Sequence, residues 1–140
     1  MFPCVVFDTS IGLYYGFPDV EGAGFKIGRH DGGQQTEPHL LNRTFGAFTE
    51  DEQDLRQLMD AYVPEASGEL VKGGVCIYDQ SPDEDFILDR HPEHSQILIA
   101  GGFSGHGFKF ASVIGKLLSQ MALNQPLLHP IEPFGLSRFT

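Results

Sequence analysis

The sequence predicts an α+β domain built on a mixed β-sheet with two main helices. Three observations carry that prediction: short β-branched and aromatic runs bounded by turn residues near both ends of the chain, an amphipathic helical period after Thr49, and a second one after Gly107. With 140 residues, 41% of them hydrophobic and 11% aromatic, the chain amounts to one domain with enough apolar surface for a core.

Pro3 to Asp8 and Gly12 to Pro18 are strand-like runs separated by Thr9-Ser10-Ile11, consistent with a hairpin. A third strand is expected over Gly24 to His30, bounded by Glu21-Gly22 and Asp31-Gly32-Gly33. Alternation places Lys26, Gly28 and His30 on one face of it, and Phe25, Ile27 and Arg29 on the other. A lysine and a histidine on a strand face are usually solvated, so the residues alone give them no role. Residues 31–48 read as a long polar connection.

Thr49 and Glu52 match a capping box, and Leu55, Leu58, Met59 and Tyr62 follow the helical period until Pro64 stops it. Asp51, Asp54, Arg56 and Asp60 lie on the other face, read as solvated. Glu69 to Gln80 reads as an extended segment with a bulge at Gly73-Gly74, followed by a turn at Ser81-Pro82-Asp83. Two strands come next, around Phe86 to Arg90 and Gln96 to Gly102. The unbroken apolar run Ile97 to Ala100 has the character of a central strand covered on both sides. The second helix runs from Gly107 to Leu123, with Ile114, Leu117, Leu118 and Met121 as its core stripe, and a proline-punctuated extended tail closes the chain.

Nineteen acidic against nine basic residues give a formal charge of −10, which opposes binding to nucleic acid or to anionic membranes. No apolar run is long enough to span a bilayer and Met1 to Asp8 lacks the regions of a secretory signal, so the chain reads as soluble and cytoplasmic. Cys4 and Cys76 are too few for a disulfide framework and are expected to be buried free thiols. His91-Pro92-Glu93-His94 offers two imidazoles and a carboxylate but no third ligand block, so it reads as a surface turn and no metal site is expected.

The segment Gln96 to Phe110 carries the strongest chemical hint. An apolar strand breaks through Gly102, Gly105 and Gly107 into a helix, with Lys109 one turn in. Unpaired N–H groups and the dipole at a helix start favour an anion, and glycines let one approach. The G-x-x-G-x-G spacing is not the dinucleotide fingerprint, and tight strand-to-helix packing explains the glycines equally well.

Four blocks in order, Tyr14 to Pro18, Gly24 to Gln34, Gly73 to Ser95 and Gly102 to Phe110, resemble the C-terminal part of monomeric sarcosine oxidase and N-methyltryptophan oxidase. These are FAD-dependent flavoproteins of the D-amino-acid oxidase superfamily. The spacing carries the resemblance: eleven positions from Tyr15 to Lys26, four from Lys26 to His30, and thirty-three from Cys76 to Lys109. It extends over nearly the whole chain, including the Thr49 to Pro64 helix. In fold terms it implies the substrate domain plus the last strand and helix of the FAD domain.

The resemblance implies roles residue by residue. Cys76 matches the cysteine that carries FAD through a thioether. Lys26 matches the lysine near flavin N5 that activates oxygen, where a fixed cation favours a nascent anion. His30 matches a histidine on the substrate side. Tyr15 and Tyr78 match active-site tyrosines, and Lys109 matches the cation that pairs with the substrate carboxylate. Gly105 matches a residue whose carbonyl lies close to the bound amine. Phe103, Ser104, Gly105, His106 and Gly107 would present backbone to ligand and flavin, and the helix start would stabilise charge at the flavin N1–C2=O2 edge. The implied reaction is oxidation of an N-methyl amino acid with O2 to the amino acid, formaldehyde and hydrogen peroxide.

The family's FAD-binding fold begins with a βαβ unit and G-x-G-x-x-G, which residues 1–140 do not contain. The chain is therefore expected to be a C-terminal fragment lacking the N-terminal dinucleotide-binding half, to need that half in cis or in trans, and to hold no FAD and be inactive alone. The alternative is a stand-alone, non-catalytic domain that binds a small acid or a protein partner.

Overall fold

A computed structural model describes residues 3–139. They form two compact units, Met1–Cys76 and Ile77–Thr140. The α+β class and the two main helices are as the sequence predicts, and the strands are distributed over two antiparallel sheets.

In the first unit, β1 (Val5–Thr9), β2 (Gly12–Phe17) and β3 (Lys26–Arg29) pair in the order β1-β2-β3. The expected hairpin closes at Thr9, whose hydroxyl donates to the Gly12 carbonyl (2.8 Å) and accepts from the Ile11 N–H (3.3 Å). Tyr14, opposite Arg29 in the ladder, is 1% exposed and anchors this sheet against the core. The helix α1 (Glu50–Tyr62) buries Leu58 and Met59. Fully burying side chains of this size contributes about 1.5–3 kcal/mol each.

Two expectations for α1 are corrected. The capping box does not form: Thr49 is itself helical (φ −58°, ψ −35°), whereas a side-chain cap needs an extended N-cap residue. The Asp51 carboxylate accepts the Gly46 N–H (2.8 Å) and Phe48 N–H (3.3 Å) instead, and Glu52 is taken by Arg56 at 2.9 Å. The charged face is not merely solvated either. Asp54 accepts from Arg29 at 2.6 Å, and Asp60 accepts from the Ser67 hydroxyl at 2.8 Å, which ties the helix to β3 and to the chain that follows it. Beyond α1, residues 67–80 join no ladder, so Gly73 is not a bulge: the Phe45 ring lies where a Cβ at that position would be.

In the second unit, the Glu84 N–H bonds the Ser81 carbonyl (3.1 Å), forming the expected turn. It leads into β4 (Ile87–Arg90), which pairs antiparallel with β5 (Leu98–Gly101). The expectation of a central strand is corrected: β5 pairs only with β4 among the described residues, and Ala100 is exposed. The reason is that apolarity reports how much surface a strand can bury, not how many ladders it joins. Residues 91–97 form a turn held by His91 N–H to Ile97 O (2.9 Å) and Ile97 N–H to His94 O (2.8 Å). Among the described residues no group of three His, Cys, Asp or Glu could hold a metal ion.

The core of this unit is aromatic: Phe86 meets Phe103, Phe110 and Phe134 with ring centroids 5.2–6.2 Å apart. The helix α2 (Ala111–Ala122) buries Leu117 and Met121. Its C-terminal carbonyls are met by Arg90, which donates to Met121 O and to Asn124 Oδ1 (3.0 Å), a favourable place for a cation. The tail is not simply extended. It winds into 3-10 turns at Glu132–Phe134 and Leu136–Phe139, held by Arg138 on Asp83 (2.6 Å) and by the Leu136 N–H on Asp89 (2.8 Å). No helix of the described chain is long and apolar enough to cross a membrane.

Candidate active site

In the first unit the chemistry gathers on one face of the three-stranded sheet. The register pairs Tyr15 with Gly28 and Phe17 with Lys26, so all four share a face, as the alternation predicts for Lys26 and Gly28. His30 extends that register one residue past β3, its N–H bonded to Leu13 O at 2.7 Å. On the opposite face Arg29 pairs with Asp31 (3.2 Å) and Asp54, and Asp31 also accepts the Leu13 N–H (2.8 Å), so both neighbours of His30 are pinned.

Gly28 has a job that spacing alone does not reveal. A Cβ there would lie 2.6 Å from Tyr15 Cζ and from its hydroxyl oxygen, so the missing side chain is what lets the Tyr15 ring lie across β3. Burial raises the Tyr15 pKa above its ordinary value, and the nearby Cys76 sulfur raises it further. Tyr15 therefore remains a neutral phenol, and Cys76 belongs to the same locality.

Cys76 is exposed, which overturns the expectation of a buried thiol; Cys4 is exposed as well. The segment that carries Cys76 joins no ladder among the described residues, and its side chain is exposed there. An accessible, unbridged thiol in the reduced state is the donor that a thioether requires.

The second unit holds Tyr78 and the loop at residues 102–110. The sequence places a helix start at Gly105 to Gly107, and here the structure differs. After β5 the chain turns through Gly102 (φ +61°), Ser104 (φ +49°) and Gly105 (φ +78°), makes a 3-10 turn at Phe108–Phe110, and enters α2 only at Ala111. The helix dipole thus begins well past Gly105, and its share of any anion binding there is small.

Both glycines pack closely, but against a tyrosine ring and a loop phenylalanine rather than between a strand and a helix. The Tyr78 ring occupies the space that a Cβ at Gly105 would need, and a Cβ at Gly107 would meet Phe103 Cβ at 2.6 Å. The loop is anchored by Asp79, which sequence reasoning missed. Its carboxylate accepts the Gly102 N–H (2.8 Å) and its carbonyl accepts the Ser104 N–H (3.0 Å). Ser104 is buried, donates to Gly102 O (3.0 Å) and accepts the Ser81 N–H (3.3 Å). His106 Nδ1 lies 3.0 Å from Ser104 O, and its ring packs 5.1 Å from Phe86, so it supports the loop from inside. The Gly105 and Gly107 N–H groups meet no acceptor among the described residues, which leaves donors for a ligand. Lys109 is exposed on the 3-10 turn, its Nζ 5.5 Å from the Phe110 ring centroid.

Taken unit by unit, the accessible Cys76 thiol and the Lys26 ammonium in the first, and the Lys109 ammonium and backbone N–H groups in the second, are donor types that a covalently held anionic ring or a carboxylate takes. The two shallow cavities of the second unit, each about 360 Å³ and bordered by Arg90 and Asn124, contain none of these residues.

Comparison with known proteins shows the family of the chain. The sequence profile described as FAD dependent oxidoreductase matches residues 1–121. The chain is 50% identical over 137 residues to monomeric sarcosine oxidase of Bacillus sp. (strain NS-129), covering 98% of this chain and 35% of that protein. It is 47% identical to monomeric sarcosine oxidase of Arthrobacter sp. (strain TE1826) over the same share of each. It is 39% identical to N-methyl-L-tryptophan oxidase of Yersinia pestis (strain Pestoides F) over 127 residues, 91% of this chain and 34% of that one. The chain thus spans about a third of the length of the curated relatives it matches. A profile match over residues 1–121 of the 140 places this chain in the FAD-dependent oxidoreductase family.

Proposed function

We propose that this chain supplies the flavin-linking and substrate-facing part of an FAD-dependent oxidase of N-methyl amino acids, of the sarcosine or N-methyltryptophan type. The observation that carries the reading is Cys76: an accessible thiol in the locality of Tyr15, whose sheet face also bears Lys26. Bound FAD would supply the two-electron redox chemistry by which an N-methyl amine and O2 become an imine and hydrogen peroxide, water then releasing formaldehyde.

The residues of the chain would hold and orient the reactants. Cys76 fixes the cofactor covalently. Lys109 pairs with the substrate carboxylate, and the Gly105 carbonyl faces its amine, so charge and position are set together. Tyr15, kept neutral by burial, offers a hydroxyl rather than an anion to the substrate, and Tyr78 is a second tyrosine facing it. His30 stands on the substrate side, where its imidazole bears on how the amine binds. Lys26 keeps a positive charge where O2 gains an electron. The loop at Phe103, Ser104, Gly105, His106 and Gly107 presents its free N–H groups to the cofactor. Turnover would require the portion of the relatives' length that this chain does not span, in cis or in trans, and the 140 residues by themselves would neither retain FAD nor turn over substrate. The higher identity to sarcosine oxidases makes sarcosine the first substrate to test.

The test is covalent attachment. When the chain is co-expressed with or fused to that remaining portion, flavin absorption should survive acid precipitation and vanish in Cys76→Ser. If the wild-type protein shows no acid-stable flavin, the oxidase reading fails and the non-catalytic alternative takes its place. In the same protein Lys26→Met should slow reoxidation by O2 by about 100-fold while leaving anaerobic reduction by sarcosine much less affected. Equal slowing of both half-reactions would remove Lys26 from the oxygen role.

A further inference from the structure

The chain carries nineteen acidic residues against nine basic ones, so a cation on its surface should readily find a carboxylate. Three of the five arginines do: Arg29, Arg56 and Arg138 each reach a carboxylate. Lys26 makes no ion pair among the described residues. Its Nζ lies 5.5 Å from the Phe17 ring centroid and 5.9 Å from that of Tyr15, within the range in which an ammonium is attracted to an aromatic face. The two rings meet edge to face, 5.9 Å apart at 72°. This is a consequence of the ladder: Phe17 sits directly across from Lys26, and Gly28 opens the room that Tyr15 needs.

Phe17 is 42% exposed at the end of β2, so its ring contributes little to the core. Its position over the lysine, by contrast, has a physical benefit. A carboxylate would hold the ammonium but cancel its charge. A ring quadrupole holds it with no opposing net charge, so the full positive potential stays available to an anion that forms nearby.

We propose that Phe17 is a positioning residue for Lys26, with Tyr15 as the second wall of an aromatic seat that keeps the ammonium in place and un-neutralised. The functional consequence rests on the oxygen role proposed above for Lys26; the seat itself does not. An exposed cation–π contact of this kind corresponds to about two- to fivefold in the population of the seated lysine.

The experiment has two arms. In the 140-residue chain, the Lys26 side-chain carbon and proton signals, identified by their disappearance in Lys26→Met, should be displaced upfield by ring currents relative to Lys72 and Lys116. Phe17→Leu should remove most of that displacement and Phe17→Tyr should keep it, with thermal unfolding followed to confirm that both variants fold. If Phe17→Leu leaves the Lys26 signals where they were, or Lys26 shows no displacement in the wild-type chain, the seat does not exist. In the protein extended to the relatives' length, Phe17→Leu should slow oxygen-dependent reoxidation about two- to fivefold, leave the anaerobic reductive half-reaction unchanged, and be rescued by Phe17→Tyr. Loss of the ring-current displacement with unchanged reoxidation upholds the seat and overturns its service to oxygen, while the oxygen role itself falls only on the Lys26→Met half-reactions, so the failures are told apart.

Discussion

Gly28 and Gly105 each leave room for a tyrosine ring, and both tyrosines belong to the candidate site. For Gly105 the requirement is double, because φ is +78° and the Tyr78 ring fills the Cβ position. Gly105→Ala should therefore destabilise the second unit by about 1–3 kcal/mol, strain and ring displacement acting together. The check is a lower urea midpoint accompanied by a changed near-ultraviolet tyrosine signal. Gly33, also at positive φ but with open space around it, is the control, and its alanine variant should show the backbone strain alone. The glycines were visible in the sequence, and so was the choice between ligand access and packing. The ring that Gly105 makes room for lies twenty-seven residues earlier in the chain, at Tyr78, and a local pattern holds no information about such a contact. Asp79 was invisible as an anchor for the same reason.

The helix α1 shows how an amphipathic pattern reads one face well and the other poorly. Leu58 and Met59 are buried as the period requires, because burial follows from apolarity and spacing. The charges opposite them were read as solvated, yet Arg29 on β3 reaches Asp54 at 2.6 Å and is itself held by Asp31. Both partners of the Arg29–Asp54 pair are about one-third exposed, so solvent screens it, and Asp54→Asn should cost only about 0.5–1 kcal/mol. The loss should shrink as salt is added, since part of the interaction is already screened there. Faster amide exchange at His30, whose strand end this network pins, would confirm the coupling; unchanged exchange would reduce the pair to a surface contact. The segment at residues 67–80 gives the complementary lesson. Its composition suits a strand, but a ladder needs a partner, and partner choice is not a property of one segment.

Charge and division into units set the behaviour of the protein as an object. A net charge of −10 leaves carboxylates as the groups whose protonation matters most on acidification. The hydrogen bonds from Arg138 hold the Asp83 carboxyl well below its ordinary value of 3.8. A depressed folded value means that the stabilisation is complete above the unfolded pKa and is lost as pH falls through the folded one. The tail at residues 136–139 should accordingly stay docked at neutral pH and loosen progressively below about pH 4. Asp83→Asn should loosen it already at pH 7, which amide exchange or limited proteolysis of the tail would detect. If the tail is equally protected in that variant, the bond from the Leu136 N–H to Asp89 is sufficient to hold it.

What the sequence determined by itself were the features that depend on residue type and near neighbours: the α+β class, the hairpin after Pro3, the two amphipathic helices with Leu58, Leu117 and Met121 inside, and the alternation that puts Lys26 with Gly28. Ordered blocks at matching spacing also reached the FAD-dependent oxidoreductase family, because a ligand site constrains many positions of a chain together. Only the tertiary structure decided that the strands close into two antiparallel sheets, that Cys76 is exposed rather than buried, that α2 begins at Ala111, and that Lys26 rests on aromatic rings rather than on a carboxylate. Each of these depends on which distant groups come together, and such contacts are settled by packing and electrostatics in three dimensions rather than by local propensity.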